Sequence, residues 1–543
     1  MSSLPMSSIA PDAVVVGAGP NGLVAANVLV DAGWSVLVLE AGERPGGSVR
    51  SAELTLPGYV HDVCSAFYPF GVGDTPIARL DLEAHGLRWC HAPAVLAHPT
   101  LEGPCATLWR DLDRTAASLD ADHPGDGEAW RALHQRWLDV RTPLVRSLFR
   151  PMPPLSGMAG LARLGPRELA RLARFLLLPV RRLGEEHFAG AAARRLLAGA
   201  ALHADLSPEA TLSGFYGWLL CAVGQDHGFP VPEGGASQIT KALVSRLEER
   251  GGQVLCDAPV DRVIVRAGRA AGVHVAGLGE IPAGRAVLAD VPAPVLYTRL
   301  VTAGDLPDGV LGDVARFHWD DATCKVDWAL DGPIPWQAEG ARAAGTVHVA
   351  DDVDALTVMA SELARGLVPA RPFLLVGQQG QADPTRQPPG HDTAWAYAHL
   401  PRTVRGDAGG TIDLPWDEAA ADAFARRMEA QIEELAPGFR DRICGRHVHG
   451  PADLEQENPS LLGGAINGGT SQLHQQLLFR PIPGLGRAST PIRQLYLASS
   501  SAHPGGGVHG APGANAARAA LASRPGSWLV SQAKRTLRPQ EAA

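Results

Sequence analysis

The patterned part of the chain opens with four apolar residues, Ala13–Val16, followed by Gly17-Ala18-Gly19-Pro20-Asn21-Gly22. A stretch of helical period comes next at Leu23–Ala32. Gly33 stops it, and a second apolar run, Trp34–Leu39, ends at Glu40. Short apolar runs bounded by glycine read as buried strands, so this segment predicts a strand–helix–strand unit of about thirty residues. From about 110 to 200 the pattern is helical and arginine-rich, broken at Pro151-Met152-Pro153-Pro154. Within it, Pro166–Leu178 predicts an amphipathic helix. At about 100° per residue Arg167, Arg171 and Arg174 share one face, with Leu169, Leu172, Ala173 and Leu176 opposite. Further on, a helix is expected at Ser237–Arg250, capped by Gly251-Gly252. Strands follow near Gln253–Cys256, Asp261–Arg266, Ala271–Val275 and Arg285–Ala289. The last organised pieces are a helix at Trp416–Leu435, a strand at Gln494–Ser499 and a helix at Ala514–Ala522. No internal repeat stands out.

Composition narrows the class. A chain of 543 residues gives room for two or three intergrown domains. With 45% hydrophobic and 19% charged residues, it is a folded chain with a large core. The net charge of −9 argues against nucleic acid as a partner. The seven cysteines form no CxxC pair, and no disulfide framework or zinc ribbon is expected. His447-Val448-His449 lacks a matching third ligand, so no metal is expected there. Asp351-Asp352-Val353-Asp354 reads as a solvated turn. Met1–Pro11 has neither basic residues nor a secretory apolar core, and no apolar stretch is long enough to span a bilayer. A cytoplasmic protein is expected. The face of Pro166–Leu178 that carries arginine leaves two roles open for that helix, a lid over a cavity or peripheral contact with a membrane.

The candidate chemistry sits at the two ends of the chain. Gly17, Gly19 and Gly22 stand between strand and helix, and Glu40 follows Gly17 by 23 residues. In that setting Gly17 permits the turn, Gly19 the approach of a pyrophosphate, and Gly22 the packing of helix on strand. The helix start, with Pro20 and Asn21, faces the anion, and Glu40 can accept hydrogen bonds from ribose hydroxyls. The string Glu40-Ala41-Gly42-Glu43-Arg44-Pro45-Gly46-Gly47-Ser48 adds a second glycine pair.

With that string the chain resembles the FAD-dependent amine oxidase and phytoene desaturase superfamily. Near the other end, Ala498-Ser499-Ser500-Ser501-Ala502-His503-Pro504-Gly505-Gly506-Gly507-Val508-His509-Gly510 is similar to the glycine turn of its phytoene desaturase-like group. Leu478-Phe479-Arg480-Pro481-Ile482-Pro483 and Pro57-Gly58-Tyr59-Val60-His61-Asp62 also resemble it. Ser499 and Ala502 depart from the pattern, in which glycine and threonine are common.

The resemblance implies FAD as the cofactor and an α/β fold. A glutathione-reductase-type Rossmann domain would be assembled from residues 1–90, 216–300 and 481–530. A mixed α+β substrate domain would come from 91–215 and 301–480, with a weakly ordered tail at 531–543. It places the flavin against Gly17, Gly19, Pro20, Asn21, Gly22, Glu40, Ala41, Gly46, Gly47, Ser48, Val260, His503, Pro504, Gly505, Gly506, Gly507 and Val508. His503 and His509 are the candidate catalytic groups. The implied reaction moves hydride from a C–C bond of an apolar substrate, of polyene or isoprenoid type, to flavin. Oxygen, a quinone or another carrier would then reoxidise it. Two alternatives stay open. An amine oxidase would need an aromatic cage and often a lysine, for which Lys325 is the one lysine in the expected substrate region. A flavin-bearing interaction protein would need neither. Oligomeric state and substrate identity are not legible.

Overall fold

The computed structural model describes residues 10–523. The expectations for the first nine residues and for the chain after Ser523, tail included, lie outside the described residues.

Five strands form one parallel sheet in the order Leu495–Leu497, Ala286–Ala289, Ala13–Val16, Val36–Leu39, Gln253–Leu255. They come from three separated stretches of chain. Helices Pro20–Asp31, Ser237–Glu249 and Ala511–Ala522 cover one face. The other face meets a three-stranded antiparallel sheet, Val260–Arg266, Arg269–Val275 and Gly279–Pro282. Buried on both faces, the parallel strands read as continuous apolar runs. The last of the three antiparallel strands was not expected, because Gly279-Glu280-Ile281-Pro282 is short, offers one aliphatic residue and ends in proline.

Two helices begin earlier than the apolar pattern suggests, at Pro20 rather than Leu23 and at Ala511 rather than Ala514. In each a proline occupies the first turn, where its missing N–H costs nothing. At the carboxyl end of Ser237–Glu249, Gly251 at φ +82° and Gly252 return their N–H groups to Glu248 and Leu247, the expected cap.

The second large sheet has seven strands in the order Ile443–His449, Ala322–Leu330, Asp392–Leu400, Leu374–Gly377, Ala344–Val349, Ala94–His98, Ala106–Leu108. One face carries helix Glu418–Leu435. The other meets a helical layer built from Asp126–Phe149, Gly165–Leu177, Ala191–Leu202 and Ser213–His227. The boundary expected at 216 falls inside that last helix. It packs with the helical layer, and the chain rejoins the nucleotide sheet only after Val231–Pro232.

Helix Gly165–Leu177 forms as expected but turns differently. Leu172 and Phe175 are buried, while Leu169 and Leu177 are exposed. Its arginines are partly neutralised: Arg171 pairs with Glu168 at 2.6 Å, and Arg174 with Glu186 at 2.6 Å. It packs over Ser213–His227 and contributes nothing to the wall of the large cavity described next, so it is not a lid over that cavity.

Candidate active site

A cavity of about 480 Å³ runs between the two large sheets, from the fingerprint loop to the carboxyl-terminal glycine turn. Gly17, Gly19, Pro20, Asn21, Glu40, Ala41, Gly47, Ser48 and Val260 line one end, and Gly506, Gly507 and Val508 lie on the wall farther in. Glu40 is pinned at the end of its strand, accepting from the Ala18 N–H at 2.8 Å and the Gly42 N–H at 2.9 Å. Gly22, Gly46, His503, Pro504 and Gly505 do not reach the cavity. Gly22 serves packing, since a Cβ there would lie 2.2 Å from the Gly17 carbonyl oxygen. At Gly46, φ +127° and the crowding of Val49, Arg50 and Thr240 forbid a side chain.

FAD fits this cradle. A Cβ on Gly47 would come within 3.2 Å of the Gly19 Cα, so two glycine loops meet beside the cavity with no side chain between them. The Asn21 Oδ1, on the same wall, is buried without a hydrogen-bond partner and is free to accept from a ligand hydroxyl. Gly17–Asn21, Glu40 and Val260 would hold the adenosine and pyrophosphate, and Gly506–Val508 would lie against the ring.

The far wall is made by strand register. Lys325 stands opposite Tyr397 on one neighbouring strand and His449 on the other; Asp327 stands opposite Trp395 and His447. Residues two apart on a strand share a face. Lys325 and Asp327 therefore form a buried ion pair, with the Lys325 Nζ 5.9 Å from the centre of the Trp395 ring. Burial works against the Asp327 charge, but Lys325 and then His61 outweigh it and hold its pKa below the ordinary value. The Trp395 and Tyr397 rings are parallel, 6.0 Å apart. Lys325, Trp395 and Tyr397 line the cavity with Phe67, Leu220 and Phe229. His203 joins them, kept neutral because burial holds its pKa down to about 3. Of these the sequence had pointed only to Lys325. The signal for the rest of the pair was two charges spaced two apart in an otherwise apolar strand, Ala322–Leu330.

His503 and His509 are set back from the cavity. Neither lines the cavity, and burial pushes both pKa values down to about 4. The His509 Nδ1 accepts from the Ala511 N–H at 3.0 Å, so the neutral ring carries its proton on Nε2, which points to the Gly506 carbonyl at 3.2 Å. Its ring packs on Phe149 and Phe70. His509 is a staple behind the glycine turn. Beside it, Arg480 is fully buried and donates to the carbonyls of Asn467, Gly468, Gly469, Thr470 and Ser500. That clamp fixes two stretches of cavity wall to each other.

Comparison with known proteins agrees with this geometry. The sequence model of the family described as flavin containing amine oxidoreductase matches residues 21–521. A Rattus norvegicus protein, "Pyridine nucleotide-disulfide oxidoreductase domain-containing protein 2", is 28% identical over 93% of this chain and 92% of its own length. A phytoene desaturase (neurosporene-forming) from Cereibacter sphaeroides is 25% identical over 96% of each chain. Among solved structures, an oxidoreductase from Methanosarcina mazei superposes with a TM-score of 0.58 at 17% identity, covering 94% of this chain and 99% of that one.

Proposed function

Because this chain belongs to the family of flavin containing amine oxidoreductases, and is thereby an FAD-dependent oxidoreductase, we propose that it oxidises a C–C bond of an apolar substrate of polyene or isoprenoid class. The observation that carries this reading is the state of the charges at the inner end of the cavity. Lys325 is already neutralised by Asp327, and the surrounding wall is aromatic and aliphatic. An apolar chain meets no unpaired charge there, whereas a substrate ammonium finds its nearest buried carboxylate occupied. Bound FAD supplies the two-electron acceptor. The chain supplies the rest. Trp395, Tyr397 and Phe67 orient the substrate and exclude water, and the Lys325–Asp327 pair adds no net charge to the wall. The relative from Cereibacter sphaeroides named as a phytoene desaturase supports the substrate class.

A second reading, amine oxidation, rests on the same wall: a lysine beside two parallel aromatic rings. Anaerobic mixing separates the two. A dispersed polyene should bleach the bound flavin and emerge lighter by two hydrogens. Bleaching by an amine with release of an aldehyde would overturn the proposal, and bleaching by neither would leave a flavin-bearing interaction protein.

We place reoxidation with oxygen, a quinone or another carrier. Among the described residues one glycine fingerprint, Gly17–Gly22, directly follows a strand of the parallel sheet and leads through a helix into the neighbouring strand, and the seven cysteines are unpaired, so nothing supports a separate nicotinamide site or a thiol relay. Peripheral membrane contact is supported by exposed Leu155, Met158, Leu169 and Leu177, beside the exposed Arg163 and Arg167. The paired Arg171 and Arg174 weigh against it. Flotation with anionic liposomes reads it directly, and a protein that never floats contradicts it. Among the described residues no helix is long and apolar enough to cross a membrane.

A further inference from the structure

The strand Ala286–Ala289 delivers Asp290 to the underside of the fingerprint loop. All three fingerprint glycines close on this one residue. A Cβ on Gly17 would lie 2.8 Å from the Asp290 carbonyl oxygen. One on Gly19 would lie 2.8 Å from Oδ2, and one on Gly22 3.1 Å from the same atom. The Asp290 Oδ2 also accepts from the Gly22 N–H at 2.7 Å. That donor belongs to the first turn of helix Pro20–Asp31, the turn whose free N–H groups and dipole receive a pyrophosphate. Among the described residues the Oδ1 has no hydrogen-bond partner, and Asp290 is part of the cavity wall. An acidic side chain thus stands in the anion site.

We propose that Asp290 is a cofactor-binding residue that works as a neutral acid, accepting from Gly22 through Oδ2 and donating from a protonated Oδ1 toward the dinucleotide's phosphates, so that the protein holds FAD together with one proton. An ionised Asp290 would set a carboxylate against a pyrophosphate with its two negative charges. A protonated one adds a donor where the loop already offers backbone N–H groups. The site favours the acid form before any ligand arrives. Burial pushes the carboxyl up to about 7, against the Gly22 hydrogen bond, and the Glu40 carboxylate raises it further. Glu40 is the one ionised group acting on it from the neighbouring strand. The fingerprint loop and first turn of the helix bring no charged side chain, and Arg299, after the following turn, lies on the same cavity wall. FAD would cover the surface Asp290 still shows to the cavity and add negative charge, which raises its proton affinity again.

The sign follows. Below its unliganded pKa Asp290 already carries the proton, and binding is independent of pH. Above it each FAD bound takes up a proton, so the affinity falls by up to tenfold per pH unit. The inference is tested by diluting the yellow holoprotein into buffers from about pH 6 to about pH 9 and reading released FAD by its fluorescence, for the natural protein and for Asp290→Asn. Asparagine keeps an acceptor for Gly22 and donates permanently. The natural protein should lose FAD progressively above neutrality, by about tenfold in Kd near pH 8. Asp290→Asn should hold it equally well across the range, and match the natural protein near pH 6. Thermal melts of both holoproteins establish that the variant is folded. A natural protein whose FAD affinity is flat across this range overturns the proposal. So does a folded Asp290→Asn protein that keeps the same pH slope, or one that binds FAD more weakly at every pH. A protein with no flavin at any pH would contradict FAD binding itself, a separate failure.

Discussion

At the nucleotide end of the cavity the wall is backbone. Gly17, Gly19 and Gly47 expose peptide groups, the side chains that count are Asn21 and the two acids Glu40 and Asp290, and a Cβ added at any of the three glycines would be crowded. At the inner end the wall is side chains: Lys325, Trp395 and Tyr397 project from neighbouring strands, and Phe67 and Phe229 come from loops beyond the sheet. The first end is a mould with little tolerance for change. The second is a surface whose chemistry can be altered residue by residue while the scaffold stays in place. A family built this way can keep one cofactor and vary its substrates.

The sharpest break between the ends is expected from Gly19→Val. Its side chain would enter space held by the Asp290 carboxylate, so no FAD should copurify, a loss of about 100-fold or more in affinity, near 3 kcal/mol. Gly33→Ala provides the contrast. Gly33 also has positive φ, at +82°, but nothing lies within 4 Å, so that variant should keep its flavin and lose only about 1 kcal/mol of stability. Absorbance of the purified proteins and their melting curves check both. Flavin retained by Gly19→Val would mean that the loop is not the pyrophosphate site.

At the inner end Asp327→Leu should leave flavin content intact and strand a buried ammonium, at about 3–5 kcal/mol in denaturant unfolding. Adding Lys325→Met should recover most of that stability, because the ion pair would be replaced by apolar volume. Substrate-driven bleaching should be slowed in both variants. If the double variant bleaches at the natural rate, Lys325 contributes to folding alone.

The same contrast explains what the sequence discloses. The nucleotide end is written in consecutive residues: strand, glycines, helix, strand, acid. The parallel sheet and most of its lining were legible because they depend on spacing along the chain. His503 and His509 show the limit of such spacing, because a motif names the residues near a glycine turn without saying which of them line the cavity. His509 faces Phe149 and the helix start, away from the cavity. Asp290 was missed although it ends an apolar run. Its partners, Gly19 and Gly22, lie more than 260 residues earlier and only the sheet order brings them together. Trp395 and Tyr397 were beyond reach for the same reason: only the register of Asp392–Leu400 on Ala322–Leu330 sets them beside Lys325.

The central claim is that one FAD spans these two unlike ends. A crystal structure of the holoprotein tests it most directly. The account predicts the pyrophosphate at Gly19–Asn21 within hydrogen-bonding distance of the Asp290 Oδ1. It predicts the isoalloxazine ring against Gly506–Val508, with Lys325, Trp395 and Tyr397 across the remaining space. A flavin whose phosphates lie away from the fingerprint loop, or whose ring lies outside the wall formed by Gly506–Val508 and Lys325, would contradict it.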